Sequence, residues 1–413
     1  MNLRESLLLS PVNNLNSEQF KIFFKDLLPE DREFFFKKIL YDKYSPIFLK
    51  YINNHKLQYL FNEKEITDLK NQSKRFQIQS LEIVKEIIYV DKIFKKNNLN
   101  PIYLKGASIM NEYPDISLRP AADIDILFKD DEVFDAYKIL YEYDFRESSS
   151  INQSRDKLLV YAKKHHHLPE LCRNTNIMIE LHHRVTVSDD FEYCPLSEGI
   201  IKNKRPISFY GRIINVPSIE YLITHQLIHF VINSKFNNLL RVFSDINVIE
   251  KKYKIDWNKI YSINKDEKIR RAISLGLEVL NYHFKLTNNF YELKNRYKDF
   301  FPSKDIILEA KKKTFRLKKK TSMHESLFYK LGKESSFIDF SKIVLSRIFL
   351  SKDQIIAHYR ILKPNYLNLF YFQSLNTVSR FKNNVIVIFS LFFKRGFMFE
   401  EFKRVEKIEK WLN

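Results

Sequence analysis

Glycine is scarce in this chain, with six residues in 413, so a large α/β enzyme organised on glycine-rich loops is not expected. Cysteine is scarcer still. Cys172 and Cys194 cannot make the disulfide framework of a secreted domain, and a reducing cytoplasm is the expected location. Long apolar runs are missing as well. No segment reaches the roughly 18 residues needed to span a bilayer. The longest run, residues 385–393, is closed by Asn384 and by Lys394-Arg395, which marks it as a buried or interfacial element. The opening MNLRESLLLSPVNN has too short an apolar run for a signal peptide.

What is present is a 45% hydrophobic composition rich in Lys, Glu, Leu, Ile and Phe. That suits a mostly helical protein of two or three modules with a sizeable core. Charge is unevenly spread. Residues 301–413 carry 23 Lys+Arg against 10 Asp+Glu, whereas residues 101–200 carry 11 against 18. The basic block is either a solvated surface or an attractor for a polyanion or a membrane face, so peripheral membrane contact stays open.

Residues 1–73 place apolar clusters at spacings of three and four (Phe20, Phe23, Phe24, Leu27; Phe34 to Phe36, Ile39, Leu40), which predicts amphipathic helices. A helix is expected over 74–97, with a stripe through Ile78, Leu81, Val84, Ile87, Ile88 and Ile93. The break at residues 97–101 then turns the chain into a strand entry, Ile102 to Leu104. Residues 121–128, Ala-Ala-Asp-Ile-Asp-Ile-Leu-Phe, read as a second strand. Asp123 and Asp125 then share one face, because side chains at i and i+2 point the same way. Paired carboxylates repel and resist burial, and a divalent cation with a preference for hard oxygen ligands removes both objections. A solvated strand end is the alternative for a bare Asp-x-Asp. Gly106 upstream bears on the choice, since a glycine after a strand lets backbone N–H groups approach a phosphate.

Further along, residues 177–182 alternate, with Ile177, Ile179 and Leu181 on one face and Met178, Glu180 and His182 on the other. Taken alone, Glu180 is an ordinary strand charge. Five of the 11 histidines fall at 165–167 and 182–183, but no ligand spacing of a zinc site accompanies them. They are read as neutral groups lining a pocket. Residues 201–216 form a hairpin about Tyr210-Gly211, and a helix over 219–233 sets Leu222, His225 and His229 along one side. That histidine pair lacks the glutamate of an HExxH site. Arg241 and Asp245, at i and i+4, are read as an intrahelical ion pair.

Lys105-Gly106-Ala107-Ser108, then Arg119, then Asp123-Ile124-Asp125 resembles the signature of the DNA polymerase β-like nucleotidyltransferases. The chain is similar in particular to the uncharacterised bacterial nucleotidyltransferase family, from about residue 75 to about 285. Ala107 stands where the wider superfamily has a second small polar residue or Gly, and Ser108 is expected to serve instead. The resemblance implies an α+β fold: a small mixed-sheet core flanked by N-terminal and C-terminal helical regions. The divisions expected are 1–100 (helical), 101–217 (core), 218–300 (a helical lid) and 301–413 (basic and helical). It implies Asp123, Asp125 and Glu180 as catalytic metal ligands for Mg²⁺, with Mn²⁺ as a substitute. Lys105, Gly106, Ser108, Arg119 and His182 are implied as nucleotide-binding residues.

The implied reaction moves an NMP group from an NTP to an acceptor hydroxyl or phosphate. A small molecule or glycan precursor is favoured as acceptor over RNA or protein. The alternative is a catalytically silent nucleotide- or RNA-binding regulator. The basic run at 311–320 is a linker, a solvated helix face or a phosphate-backbone contact, and the aromatics of 340–372 are core or a base-stacking surface.

Overall fold

The computed structural model describes residues 3–13, 15–147, 155–173, 177–185, 195–283, 289–315, 366–375, 377 and 397–412. Cys194, residues 316–365 and the apolar run 385–393 lie outside the described residues. The chain divides into two compact units, Met1–Ser148 with Gln153–Leu317, and Ser149–Asn152 with Lys318–Asn413. In the second, a helix Phe397–Leu412 buries Ile408 and Leu412, and the helical residues 366–375 expose Tyr366, Leu367 and Phe370. Among the described residues no helix is long and apolar enough to cross a membrane.

The first unit opens with short helices started by their own polar signals. Asn16 accepts the Gln19 amide ahead of helix Ser17–Lys25, and Pro29, Glu30 and Asp31 open helix Pro29–Tyr41. Their three-and-four spacing turns Phe20, Phe24 and Phe35 onto Phe48 and Phe61 in one aromatic core. After helix Ser45–Asn54, which carries Phe48, a long helix runs Glu63–Lys96, starting well before residue 74, because Asn62 and Glu65 form a reciprocal capping box. Ile78 and Leu81 are exposed on it. The face that enters the core is Ile83, Ile87, Val90 and Phe94, and it also buries Ser80, Glu86 and Asp91, polar residues that apolar periodicity passes over. Arg173 reaches Glu86 at 3.3 Å and Lys95 reaches Asp91 at 2.8 Å, so these acids are partnered.

The sheet has seven strands: β1 (Ile102–Tyr103), β2 (Asp123–Leu127), β3 (Arg146–Glu147), β4 (Leu171–Cys172), β5 (Met178–His182), β6 (Lys204–Phe209) and β7 (Arg212–Pro217). Their order is β3-β4-β5-β2-β1-β7-β6. The sheet is mixed: β2/β5 and β1/β7 are parallel and the other pairs antiparallel. The hairpin β6/β7 turns at Tyr210 (φ 47°) and Gly211 (φ 77°), two left-handed residues whose twist suits a two-residue loop. Ile124, Ile126, Ile179 and Leu181 are fully buried on one face, in the core that takes in Phe94 and Phe128 and the helix Val133–Glu142. The opposite side chains of the same two strands form the candidate site. Beside them lie the short helix Lys105–Ile109 and the helix Ile219–Ile228. The latter continues through His229–Asn233 as a π-helical turn, and its N-cap residue Ser218 makes no side-chain cap bond.

Candidate metal and nucleotide site

Parallel pairing sets the site. Asp123 lies beside Met178, Asp125 beside Glu180, and Leu127 beside His182. With a two-residue repeat on both strands, Asp123 and Asp125 of β2 and Glu180 and His182 of β5 fall on one face. The ligand atoms of Asp125, Glu180 and His182 lie within 4.8 Å of one another. His182 Nε2 is 2.8 Å from Asp125 Oδ1 and 3.2 Å from Glu180 Oε2. Lys105 Nζ reaches Asp125 Oδ1 at 2.5 Å and stands 4.0 Å from Glu180.

The Lys105 corner is built by its neighbours. Leu104 donates its amide to the Asp125 carbonyl at 2.9 Å, and Lys105 then adopts φ 42°, a left-handed conformation that costs a lysine about 1–3 kcal/mol. Gly106 follows because the helix packs on the segment before β2. A Cβ there would stand 2.7 Å from the Ala121 Cβ, so only glycine fits without displacement. Ser108 is buried and donates its hydroxyl to the Lys105 carbonyl at 2.8 Å, directed at its own helix turn.

The electrostatics are those of a cation site. Burial, reinforced by Asp125 and Glu180, pushes the Asp123 carboxyl up to about 6. Burial also raises Asp125, but Lys105 and His182 outweigh it and hold that carboxyl well below its ordinary value. Asp125 Oδ2 is buried with no hydrogen-bond partner, an orphaned anionic oxygen that a bound cation would satisfy. His182 is ready for the same ion. Its Nδ1 faces the Arg184 carbonyl at 3.3 Å, and a carbonyl can only accept, so the proton belongs on Nδ1. Nε2 then faces two carboxylates and carries either a second proton or a metal. Burial lowers the imidazole pKa, but hydrogen bonds to Asp125 and Glu180 more than offset this and raise it. The donor set fits a divalent cation.

Arg119 is buried next to Gly106, donating from Nη1 to the Pro120 carbonyl at 2.9 Å and from Nε to Asp245 Oδ1 at 2.6 Å. Tyr113 donates to that same oxygen at 2.7 Å. Asp245 is therefore joined to Arg119 across the fold rather than to Arg241 along its helix. Sequence spacing does not disclose this, because Asp245 and Arg119 are 126 positions apart. His225 is buried with Nε2 unpartnered, and burial, with Lys105 and His229 nearby, holds it neutral.

Residues 31–285 match the family described as uncharacterised nucleotidyltransferase. The chain belongs to that family, within the polymerase-β-like superfamily. The matched segment begins at residue 31 rather than near 75, so most of helix Pro29–Tyr41 and everything after it to residue 285 is part of what defines this family. No curated protein and no solved structure matches the chain.

Proposed function

We propose that the protein is a metal-dependent nucleotidyltransferase that moves an NMP group from an NTP to an acceptor hydroxyl or phosphate and releases pyrophosphate. The observation that carries this reading is the register of β2 on β5, which sets Asp125 beside Glu180 and His182 in a chain of this family. Asp123, Asp125 and Glu180, joined by His182, would hold Mg²⁺ or Mn²⁺. Such an ion neutralises the triphosphate and lowers the pKa of the attacking group.

The chain's own residues divide the remaining work. Lys105 lies against Asp125 and Glu180 and offsets charge on the α-phosphate and the leaving pyrophosphate. Gly106 and Ser108 fix the turn that presents Lys105 and its backbone to the nucleotide, and Arg119 backs them. Glu180 takes the proton of the acceptor hydroxyl as the new bond to the α-phosphorus forms. The bond to the β-phosphate bridging oxygen breaks, and pyrophosphate leaves with that electron pair.

A small molecule or glycan precursor is the favoured acceptor. The lysines of helix Lys304–Thr314 support this, since Lys311 stacks over the Tyr282 ring and Lys312 pairs with Glu309 at 2.9 Å instead of lining up for a nucleic-acid backbone.

Incubating the protein with each α-labelled NTP, Mg²⁺ and fractions of a cell extract tests the reading. Label should pass to one fraction with wild type, and transfer should be lost with Asp123→Asn or Asp125→Asn while the fold persists. Wild-type protein that binds NTP but transfers no label into any fraction is instead a silent nucleotide-binding protein.

A further inference from the structure

We propose that Lys43 and Arg241, contributed by two separate helical segments, form the polyphosphate subsite of the nucleotide pocket, taking the β- and γ-phosphates of the donor and then the departing pyrophosphate. This rests on the nucleotidyltransferase reading above and assigns the donor's triphosphate to residues outside the sheet.

Helical spacing would pair Arg241 with Asp245, but Asp245 Oδ1 already serves Arg119 and Tyr113. Arg241 is left with no hydrogen bond or ion pair among the described residues, and its Nε is shut away from solvent. Arg241 is partly buried, and a guanidinium N–H closed off from water without an acceptor destabilises the free protein, so a fold that keeps one is prepared for an anion.

Lys43 arrives from the N-terminal helices. It occupies the half-buried corner after helix Pro29–Tyr41, with φ 57°, and likewise makes no hydrogen-bonded or ionic side-chain contact among the described residues. Two buried contacts hold the corner in place. Lys38 Nζ bonds Asp42 Oδ1 at 3.0 Å behind it, and Ser244 Oγ bonds Tyr44 OH at 3.4 Å beside it. Ser244 is within one turn of Arg241, so the Lys43 corner is fastened to the helix that carries Arg241.

The charge pattern agrees. Burial lowers the pKa of both cations, and repulsion from Arg241 and Arg119 on Lys43 and from Arg119 on Arg241 lowers it further, while Asp123 attracts each and Asp42 and Asp245 also attract Arg241. Arg119 is neutralised by Asp245, and Asp42 by Lys38. That leaves two cations without a hydrogen-bonded or ionic partner among the described residues, both within the field of Asp123. A single ligand that satisfies both ends carries negative charge along its length, which describes a polyphosphate better than a monoanion.

Calorimetric titration of the full chain with tripolyphosphate, and with a non-hydrolysable α,β-methylene NTP plus Mg²⁺, tests the assignment. Arg241→Gln and Lys43→Gln should each weaken both ligands about tenfold or more, the scale for losing one charge-assisted contact. Arg241→Lys should recover part of the loss, and the exposed Lys64→Gln should leave binding unchanged. Arg241→Gln should also leave the ligand-free protein as stable as wild type or more so, because a cation whose Nε is buried without an acceptor has been removed.

Wild-type affinity in both Gln variants, with wild type itself binding the NTP analogue, overturns the subsite and leaves the nucleotidyltransferase reading standing. Loss of stability in Arg241→Gln without loss of affinity shows a structural cation and overturns it too. A wild-type protein that binds neither ligand overturns both readings.

Discussion

Asp245 offers the clearest test of how the site is held. Its Oδ1 accepts from Arg119 Nε at 2.6 Å and from Tyr113 OH at 2.7 Å, with the Arg119 side chain 8% exposed and that of Asp245 fully buried. Asp245→Ala strips the only carboxylate bonded to Arg119 among the described residues and leaves a tyrosine hydroxyl unsatisfied. Removing one partner of a buried ion pair costs about 3–5 kcal/mol, and an unsatisfied buried hydroxyl about 1–3. One oxygen serves both donors, so the two losses overlap, and about 4 kcal/mol is the expected total. A domain is stable by only about 5–15 kcal/mol.

The double variant Asp245→Ala with Arg119→Met removes the stranded cation as well and should recover at least half of that loss. Asp245→Asn should not rescue, since its amide N–H groups must take the place of Oδ2, which has no partner of its own. The assay is urea unfolding read by tryptophan fluorescence. Trp257 is in the first unit and Trp411 in the second, so a Trp411→Phe background confines the signal to the unit that holds the site. A loss under about 1 kcal/mol in Asp245→Ala, or a double variant weaker than the single, would refute the reasoning.

Two further predictions concern the carboxylate corner. Gly106→Ala drives a Cβ to 2.7 Å from the Ala121 Cβ, which has no flexible end to yield, and should destabilise by about 1–3 kcal/mol. Adding Ala121→Gly should restore most of it in the same urea titration, and a Gly106→Ala variant that is neutral alone sinks the close-packing account. The second is a pH effect on metal affinity. The His182 pKa is raised above 6.5 in the fold, so its charged-pair stabilisation is whole below 6.5 and fades as pH rises through the raised value. A metal competes with that proton for Nε2, so Mn²⁺ affinity should climb with pH by up to about tenfold per unit until the raised His182 pKa is passed and level off above it, with a proton released on binding below that point. Calorimetry in two buffers of unlike ionisation heat measures the proton, and zero release would remove His182 from the ligands.

Much of the site was legible because strands report their own geometry. A period of two in Asp123-Ile124-Asp125 and in Ile179-Glu180-Leu181-His182 fixes which side chains share a face, and the observed register only adds which residues stand side by side. The hairpin at Tyr210-Gly211 was legible for a similarly local reason. What was not legible depends on distance along the chain. The start of helix Glu63–Lys96 rests on a capping box that begins no apolar run. The buried face of that helix takes in Glu86 and Asp91, which only their partners Arg173 and Lys95 make tolerable. Family likeness marks His182 as a nucleotide contact, and only the register places its Nε2 between two carboxylates.

Arg241 and Asp245 show the most instructive gap, because spacing on a helix states what can meet, not what does. An i,i+4 pair on a surface contributes a few tenths of a kcal/mol. A buried carboxylate offered both a cation and a tyrosine hydroxyl at under 2.8 Å gains more from leaving its helical neighbour. The same choice gives helix Leu239–Lys252 its place in the molecule. Through Asp245 it orders the Arg119 segment that leads into β2, and through Ser244 it holds Tyr44, next to Lys43. The corner after helix Pro29–Tyr41 and helix Leu239–Lys252 therefore meet, though they come from opposite ends of the family's matched segment, residues 31–285. The N-terminal helices belong to the same compact unit as the candidate site rather than standing before it. A truncation beginning near residue 75, where the sequence signature becomes recognisable, would remove Lys43, Tyr44 and the aromatic core of Phe20, Phe24, Phe35, Phe48 and Phe61, and with these the contact that ties the N-terminal helices to helix Leu239–Lys252.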